Sequence, residues 1–172
     1  MKLNIGKEIY KFGKKIWSYN RSITGKGTLK TLQEIKKLLP ELKIKKVKSG
    51  TKAFDWIVPD EWNVEDAYII DPQGQKICSI KKNNLHLVGY SIPVNKKLTF
   101  HELDKKLFSL PSQPNAIPYK TSYYKKDWGF CLTHNQRKKL KKKGLYKILI
   151  NSKIKKGNLN YGEILIRGKS SK

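Results

Sequence analysis

The spacing of the apolar residues changes abruptly at Pro40, and this change constrains the fold more than any other feature of the chain. Residues 3–18 and 29–39 repeat apolar side chains at the spacing of amphipathic helices. From about residue 42 to 95 the apolar residues instead alternate along short segments rich in β-branched and aromatic types, which is typical of strands. The 172 residues suffice for one domain, or for a main domain with a smaller companion. We therefore predict two N-terminal helices followed by an antiparallel β region.

Turn residues give the β region its order. The sequence DPQG at 71–74 predicts a tight turn that joins two strands into a hairpin. The segments predicted to form strands are 42–58, 66–70, 75–80 and 84–91.

Capping residues mark the starts of the second and third helices. For the second helix, either Thr28 or the pair Thr31 and Glu34 has the right chemistry for an N-terminal cap. Thr99, with Glu102 three residues later, predicts a short helix that ends before a proline at position 111. The first helix needs a surface on which to pack its apolar stripe.

The last forty residues combine a basic helix with two strands. Thr133 is a suitable N-cap for a helix over 133–143, and the strands are predicted within 146–151 and 159–167, on either side of a KKGN turn. No helix follows the second strand, although it is apolar. We therefore expect an unfinished sheet at the end of the chain.

The chain carries a formal net charge of +25, which raises nucleic acid or another polyanion as a partner. The basic residues are nevertheless 35 lysines and only three arginines, Arg21, Arg137 and Arg167. Because bidentate recognition of phosphate and guanine favours arginine, this balance argues against a nucleic-acid-binding function. The basic run at 137–143 is interpreted as a solvated helix face.

Two further features bear on cellular location and on disulfides. No run approaches the roughly 18 apolar residues of a membrane span, and the N-terminus lacks the hydrophobic region of a signal peptide. We expect a cytoplasmic protein with no membrane partner.

Cys78 and Cys131 lie far apart without a CxxC motif. Their spacing argues against a disulfide framework or a zinc knuckle, and each cysteine is interpreted as a core residue.

The candidate catalytic motifs are weak. HELDK at 101–105 begins like the HExxH motif of zinc proteases, but Lys105 replaces the second histidine, and a protonated lysine does not bind zinc. TGKGT at 24–28 lacks the spacing of a phosphate-binding loop. The three histidines, His86, His101 and His134, are too far apart in sequence to form a local ligand pair. These motifs identify no catalytic residue.

The segment SYYKKDWGFCLT at 122–133 concentrates aromatic residues and a cysteine in a lysine-rich chain. Two interpretations stay open from composition alone. The aromatic side chains either pack in a core with their polar ends at the edge of a cleft, or they stack on bases between the neighbouring lysines. The aromatic residues concerned are Tyr123, Tyr124, Trp128 and Phe130.

Five blocks of the sequence, in order, resemble the N-terminal part of a family of bacterial aminopeptidase-like proteins known as DUF4910 with DUF2172. In this family a zinc-exopeptidase-like α/β domain is interrupted by a smaller inserted domain. The blocks span almost the whole chain. They are RSITGKGT at 21–28, SGTKAFDWIVPDEWNVEDAYIID at 49–71, NLHLVGYSIPV at 84–94, LPSQPNAIPYKTSYYKKDWGFCL at 110–132 and YGE at 161–163.

The resemblance implies a domain organisation for the chain. Residues 1–41 would be the N-terminal helices of the peptidase-like domain, and 42–133 the mainly antiparallel, β-rich inserted domain. Residues 134–172 would be a basic helix and the first strands of the peptidase-like sheet, truncated. The fold class expected is therefore a fragment of α+β or α/β type.

The resemblance also implies zinc as the cofactor of the complete family member and a peptide or another amide-containing molecule as its substrate. The family's metal-binding segment is expected beyond Lys172. We accordingly expect no zinc ligand in this chain, no peptidase activity from the chain alone, and the missing C-terminal portion as its partner. The alternative function is a noncatalytic basic module that binds nucleic acid or an anionic polysaccharide.

The resemblance implies that the aromatic segment shapes the inserted domain and the edge of the cleft, rather than stacking on bases. No catalytic residue and no oligomeric state are assigned. The candidate substrate-side residues are Arg21, Phe54, Asp55, Trp56, Tyr123, Tyr124 and Trp128.

Overall fold

The computed structural model describes residues 4–168, which form a mixed α+β fold with N-terminal helices and mainly antiparallel strand pairs. The elements, in chain order, are α1 (Ile5–Ile16), α2 (Lys26–Leu38), β1 (Lys43–Lys48), β2 (Lys52–Ala53), β3 (Trp56–Ile57), β4 (Glu61–Ile70), β5 (Lys76–Ile77), a 3-10 turn (Asn84–His86), β6 (Val94–Thr99), α3 (Phe100–Asp104), β7 (Leu107–Phe108), β8 (Phe130–Cys131), α4 (His134–Lys138), β9 (Leu145–Lys155) and β10 (Asn158–Glu163). None of the described helices is long and apolar enough to cross a membrane.

The chain divides into two compact units. The central unit comprises residues 62–155, and the flanking unit comprises residues 1–61 together with 156–172. These divisions differ from the segments 1–41, 42–133 and 134–172 that the sequence suggests. The assignment of those segments to a peptidase-like domain and an inserted domain stays a prediction.

The flanking unit contains both long helices and two small antiparallel strand pairs. β1 pairs with β10 along its full length, from Lys43 opposite Glu163 to Lys48 opposite Asn158, and β2 pairs with β3 in a short hairpin. The side chain of Asn4 caps α1 by accepting a hydrogen bond from the Lys7 amide. No residue of α1 is buried: in its apolar stripe, Phe12 and Ile16 are half-buried, whereas Ile5 and Ile9 are exposed.

The start of α2 differs from both sequence predictions. The N-cap is Gly25, with φ of 93° and no side-chain capping bond. Because glycine adopts this conformation without a steric penalty, the helix begins at Lys26, two residues before Thr28. Thr28 and Thr31 therefore lie inside the helix, where their hydroxyls donate hydrogen bonds to the carbonyls of Ser22 and Gly27.

The central unit is built around a four-stranded sheet in the order β5-β4-β9-β6, beside a short parallel pair of β7 and β8. The 71–74 turn joins β4 to β5, as predicted, and Asp71 Oδ1 fixes it by accepting from the amides of Gln73 and Gln75. Along β9, alternate side chains are buried. The apolar ones, Tyr146, Ile148 and Ile150, belong to one hydrophobic core that also includes Trp62 and Phe130.

Two capping predictions in the central unit are confirmed, although both helices are shorter than expected. Thr99 and Glu102 form a reciprocal capping box at α3, and Thr133 and Gln136 form another at α4. α3 ends at Asp104 because the chain then enters β7, which pairs with β8. α4 ends at Lys138, so the basic run is helical only at its start.

Two strand predictions need correction. Residues 84–91 do not form a strand, because a 3-10 turn begins the segment and Tyr90 has a φ of 63°, which is outside the β region. The last two strands are present but do not pair with each other. β9 belongs to the central sheet, whereas β10 pairs with β1 and ends at Glu163. Residues 169–172 of the expected terminal segment lie outside the described residues.

Candidate functional site

The structure separates the sequence-predicted site residues into two groups. Arg21 and the segment 54–56 belong to the flanking unit, whereas Tyr123, Tyr124 and Trp128 belong to the central unit. Each group is therefore described within its own unit.

Four aromatic rings of the central unit form a continuous series, which we call the aromatic ladder. Trp62 and Tyr90 are stacked with centroids 5.8 Å apart, Tyr90 and Tyr123 are tilted at 5.9 Å, and Tyr123 and Tyr124 are tilted at 4.0 Å. Tyr90 is 4% exposed and Tyr124 is 79% exposed. The ladder thus connects the hydrophobic core to solvent, and its outer ring presents an aromatic face to whatever approaches.

The backbone at Tyr90 has a rare conformation. A left-handed φ of 63° in a bulky residue costs on the order of 1–3 kcal/mol and persists only where the surroundings enforce it. Here the neighbouring Gly89 is held on both sides: its amide donates to the Lys120 carbonyl at 2.9 Å, and its carbonyl accepts from the Ser122 amide at 2.9 Å. These bonds join the Tyr90 segment to the segment that carries Tyr123.

Ser91 is the polar centre beneath the ladder. Its carbonyl accepts hydrogen bonds from Trp62 Nε1 at 3.0 Å and from Ser152 Oγ at 2.7 Å. Its hydroxyl donates to the Val88 carbonyl at 2.6 Å and accepts from the Gly129 amide at 3.3 Å. Because Ser91 is fully buried, each of these bonds satisfies a group that would otherwise be costly to bury.

Trp128 is a core residue rather than an exposed platform. It is 7% exposed and belongs to the main hydrophobic cluster. The ammonium groups of Lys96 and Lys106 lie 5.2 and 5.8 Å from its ring centroid, within range of cation–π attraction. Lys106 also donates to Asp127 Oδ1 at 2.6 Å, and this bond holds the pKa of Asp127 below its usual value.

The two tyrosines at the outer end of the ladder share a hydrogen-bonding environment. A hydrogen bond with Tyr124, followed by burial, raises the pKa of the Tyr123 phenol. Tyr123 therefore stays protonated at neutral pH and can donate or accept a hydrogen bond. The pair offers an apolar face with polar edges, which suits a ligand that is itself amphipathic.

The flanking-unit candidates have a different character. Phe54 occupies the tip of the β2–β3 hairpin, is 96% exposed and has a φ of 56°. Asp55 is exposed, Trp56 is half-buried, and Arg21 donates to the Ile16 carbonyl from its guanidinium group. Phe54 is therefore fully exposed to solvent. Within the described residues, the structure does not bring Arg21 and the tip of the β2–β3 hairpin together into one site.

Sequence reasoning missed Trp62, Tyr90 and Ser91, which support the outer tyrosines. The prediction of a strand over 84–91 concealed Tyr90 and Ser91. Gly89 was the available signal, because a glycine within a strand pattern often marks a bulge or a close approach of two backbones. Here Gly89 forms an isolated bridge with Thr121.

The described histidines do not form a catalytic or metal-binding group with one another. His86 Nδ1 donates to the Cys131 carbonyl at 2.7 Å, His134 Nδ1 is 3.1 Å from Ser109 Oγ, and His101 is exposed. Within residues 4–168, no three side chains of His, Cys, Asp or Glu are placed to hold a metal ion.

Comparison with known proteins identifies relatives of this chain. The chain is 47% identical, over 163 residues, to a Clostridium acetobutylicum protein described as "Putative polysaccharide biosynthesis protein with aminopeptidase-like domain". The match covers 95% of this chain but 37% of the relative. The crystal structure of a "putative peptidase" from the same organism matches with a TM-score of 0.90 and 47% identity, covering 95% of this chain and 38% of that one. The chain thus spans less than two fifths of the length of the relatives it matches.

A family model, "Domain of unknown function (DUF2172)", matches residues 61–153. This range nearly coincides with the central unit, residues 62–155, and so contains the whole aromatic ladder. Because the matched residues make up more than half of the chain, the protein belongs to the DUF2172 family.

Proposed function

We propose that this chain is the noncatalytic N-terminal portion of an aminopeptidase-like hydrolase, and that its central unit contacts the substrate through the outer tyrosines of the ladder. The observation that carries the proposal is the 47% identity over 95% of this chain to a protein that includes an aminopeptidase-like domain. The substrate would be a peptide or another amide-containing molecule. Tyr123 and Tyr124 would pack against it and position it, without taking part in bond cleavage.

Zinc, which the resemblance implies for the complete family member, does not fit the residues of this chain. A catalytic zinc needs about three protein ligands and an open position, and the described residues contain no such set. No chemical step is therefore assigned to residues 4–168. Metal binding and amide hydrolysis are proposed for the remaining polypeptide.

The two units differ in a way that supports this division of labour. The hydrophobic core lies in the central unit, whereas Leu42 and Val58 are the buried hydrophobic residues of the described flanking unit. The flanking unit instead exposes large apolar side chains, and burial of such side chains against another surface is favourable. Among them are Ile5, Ile9, Tyr10 and Trp17 of the α1 region and Leu165 and Ile166 near the end of the described chain.

We propose that the flanking unit completes its core against the peptidase-like portion of a longer protein. The length of the relatives supports this occupant, because more than three fifths of each lies outside the match. Association of such surfaces is driven by the removal of apolar area from water.

The test uses the complete Clostridium acetobutylicum relative, in which the matched segment is replaced by residues 1–172 of this chain. The chimera is expected to hydrolyse aminoacyl-p-nitroanilides, and the isolated 172-residue chain is not. In the chimera, Tyr124→Ala is expected to raise KM by about tenfold with kcat nearly unchanged, since loss of an aromatic contact costs about 1–2 kcal/mol. Tyr119→Ala is the matched control, because Tyr119 is 70% exposed but lies outside the ladder.

Three results would count against the proposal. Turnover by the isolated chain would place the reactive centre within it. A chimera without activity, beside an active parent protein, would show that this chain does not serve as the corresponding portion. Equal effects of Tyr119→Ala and Tyr124→Ala would remove the special role of the ladder.

A second candidate is a binding function for an anionic polysaccharide, and the net charge of +25 favours it. The name of the relative mentions polysaccharide biosynthesis, which agrees with a polysaccharide ligand. Nucleic acid is less favoured, because the basic residues are overwhelmingly lysine. Binding to heparin that persists at 0.15 M salt, alongside an inactive chimera, would favour this candidate, whereas binding that vanishes by about that salt concentration is nonspecific charge attraction.

A further inference from the structure

A second site in the central unit, separate from the aromatic ladder, is a pocket of about 300 Å³ beside β5 and α4. This volume lies at the lower end of the range for small-molecule sites. Ile77, Leu132 and Leu140 supply its apolar wall. Its polar wall carries lysines, a buried histidine and a buried cysteine, so the pocket combines an apolar wall with strong charge.

Three lysines, Lys76, Lys82 and Lys139, line the pocket. None of their ammonium groups forms an ion pair with another residue in the described range 4–168. Lys76 lies over the Tyr68 ring, 3.8 Å from its centroid. Asp71 also lines the pocket, but its Oδ1 already accepts two amide hydrogen bonds from the 71–74 turn. The pocket wall is therefore net positive and suited to an anionic ligand.

His86 determines which hydrogen-bonding group a ligand of this pocket needs. It is 6% exposed, and its Nδ1 must carry the proton because the Cys131 carbonyl can only accept a hydrogen bond. Burial, followed by the positive charge of Lys82, lowers the pKa of His86, so the imidazole is neutral at pH 7. Nε2 then carries a lone pair, and a ligand that meets it needs a hydrogen-bond donor.

The remaining polar groups agree with this pattern. Gln136 Oε1 accepts from the Thr133 amide, which leaves the NH₂ group of that side chain as a donor. Burial, followed by the neighbouring Cys131, raises the pKa of Cys78 to about 12, so Cys78 is a neutral thiol rather than a nucleophile. The pocket thus offers several donors to an anion, and His86 Nε2 as an acceptor to a hydroxyl.

We propose that this pocket binds a small hydroxylated anion, such as a uronate or a sugar phosphate. Lys82 and Lys139 hold the anionic group, whereas the ammonium of Lys76 lies over Tyr68, which does not line the pocket. His86 Nε2 accepts a hydrogen bond from a hydroxyl of the ligand. Sulfate satisfies the lysines but not the imidazole, because it has no hydrogen-bond donor, and a neutral sugar satisfies the imidazole but not the lysines. The site would bind its ligand whether or not the ladder contacts a peptide.

The test measures binding to the 172-residue chain by NMR at pH 7 and constant ionic strength. The probes are glucuronate and glucose 6-phosphate, with sulfate, glucose and cyclohexanecarboxylate as controls. Cyclohexanecarboxylate matches glucuronate in ring size and charge but lacks the hydroxyls. Because the chain has three histidines, the ring signals of His86, His101 and His134 can be followed separately. The ring signal of His86 is expected to shift on binding, and the other two are not.

Variants distinguish a built site from diffuse positive charge. Lys82→Gln with Lys139→Gln removes two pocket charges, and Lys97→Gln with Lys147→Gln removes two exposed charges that lie opposite each other on β6 and β9. The pocket variant is expected to weaken binding of the tighter probe by about tenfold or more, and the control variant by less than about twofold. All four lysines are exposed, so both variants should fold.

The relative affinities decide the outcome. Binding of glucuronate or glucose 6-phosphate about tenfold tighter than of every control supports the proposal, and the tighter of the two identifies the anionic group as carboxylate or phosphate. Equal affinity for cyclohexanecarboxylate would overturn the role of His86. Equal loss in the two variants, or no binding of either sugar acid at about 20 mM, would overturn the site itself.

Discussion

Replacing Gly129 with alanine tests the packing beneath the aromatic ladder most directly. A Cβ at this position would lie 2.7 Å from Phe108 Cε2, 2.9 Å from the Lys106 carbonyl oxygen and 3.2 Å from Val88 Cγ2. One of the two closest atoms belongs to the backbone, so side-chain rotation alone cannot relieve the clash. Overpacking of this kind costs about 1–3 kcal/mol, and we expect about 3 kcal/mol here.

The effect should reach the ladder as well as the global stability. The Gly129 amide donates to Ser91 Oγ, and the Ser91 carbonyl accepts from Trp62 Nε1. A shift of the backbone at Gly129 therefore disturbs the support of the innermost ring. About 3 kcal/mol is a large part of the 5–15 kcal/mol that stabilises a typical domain.

The assay is urea unfolding of wild type and variant, with the amide and ring NMR signals of Trp62, Phe130 and Tyr146 as reporters of the central unit. Gly13→Ala is the matched control. A Cβ at Gly13 meets no atom within 4 Å, and the residue lies inside α1, so this variant should stabilise α1 by up to about 1 kcal/mol. If Gly129→Ala changed the free energy of unfolding by less than about 0.5 kcal/mol, the reasoning from the close contacts would be refuted.

Three further predictions concern charge, capping and titration. The hydrogen bonds from Lys15 and Lys37 lower the pKa of Glu34 to about 2. As the pH falls from about 4.5 towards 2, wild type should therefore lose more stability than Glu34→Gln, as measured by circular dichroism, and equal losses would contradict this ion pairing. Thr99→Ala removes the capping box of α3 and should destabilise the central unit by about 1 kcal/mol in urea unfolding, and a change near zero would contradict the cap. Because burial lowers the pKa of His86, its ring signal should titrate with a midpoint below 6.5, and stability should fall as the pH drops from 6.5 through that midpoint; a midpoint above 6.5 would contradict its burial as a neutral group.

Predictions from local sequence signals succeeded where all the interacting residues lie within one short segment. The capping boxes at Thr99 and Thr133 were predictable because both partners lie within four residues. The 71–74 turn was predictable for the same reason. The cap of α2 was not, because Gly25 offers a backbone conformation rather than a side-chain signal.

The candidate site was predictable only in part. The aromatic segment identified Tyr123 and Tyr124, but its composition gave no reason to separate them from Trp128, which the tertiary structure buries. Tyr90 could not be identified because its left-handed conformation depends on hydrogen bonds to residues about thirty positions away. Such long-range hydrogen bonds cannot be predicted from a short stretch of sequence.

The amino-acid sequence by itself determined which segments are helical and which are rich in strands, and it determined the caps that begin α3 and α4. It also carried the resemblance to the DUF2172 family, which the comparison confirms. These features depend on side chains that are neighbours along the chain, where spacing and chemistry act directly. The tertiary structure alone decided that β9 and β10 enter different sheets. It also decided which rings form the ladder and which lysines share a pocket with His86. The physical reason is that burial and long-range hydrogen bonding set these relations, and both depend on the packed chain as a whole.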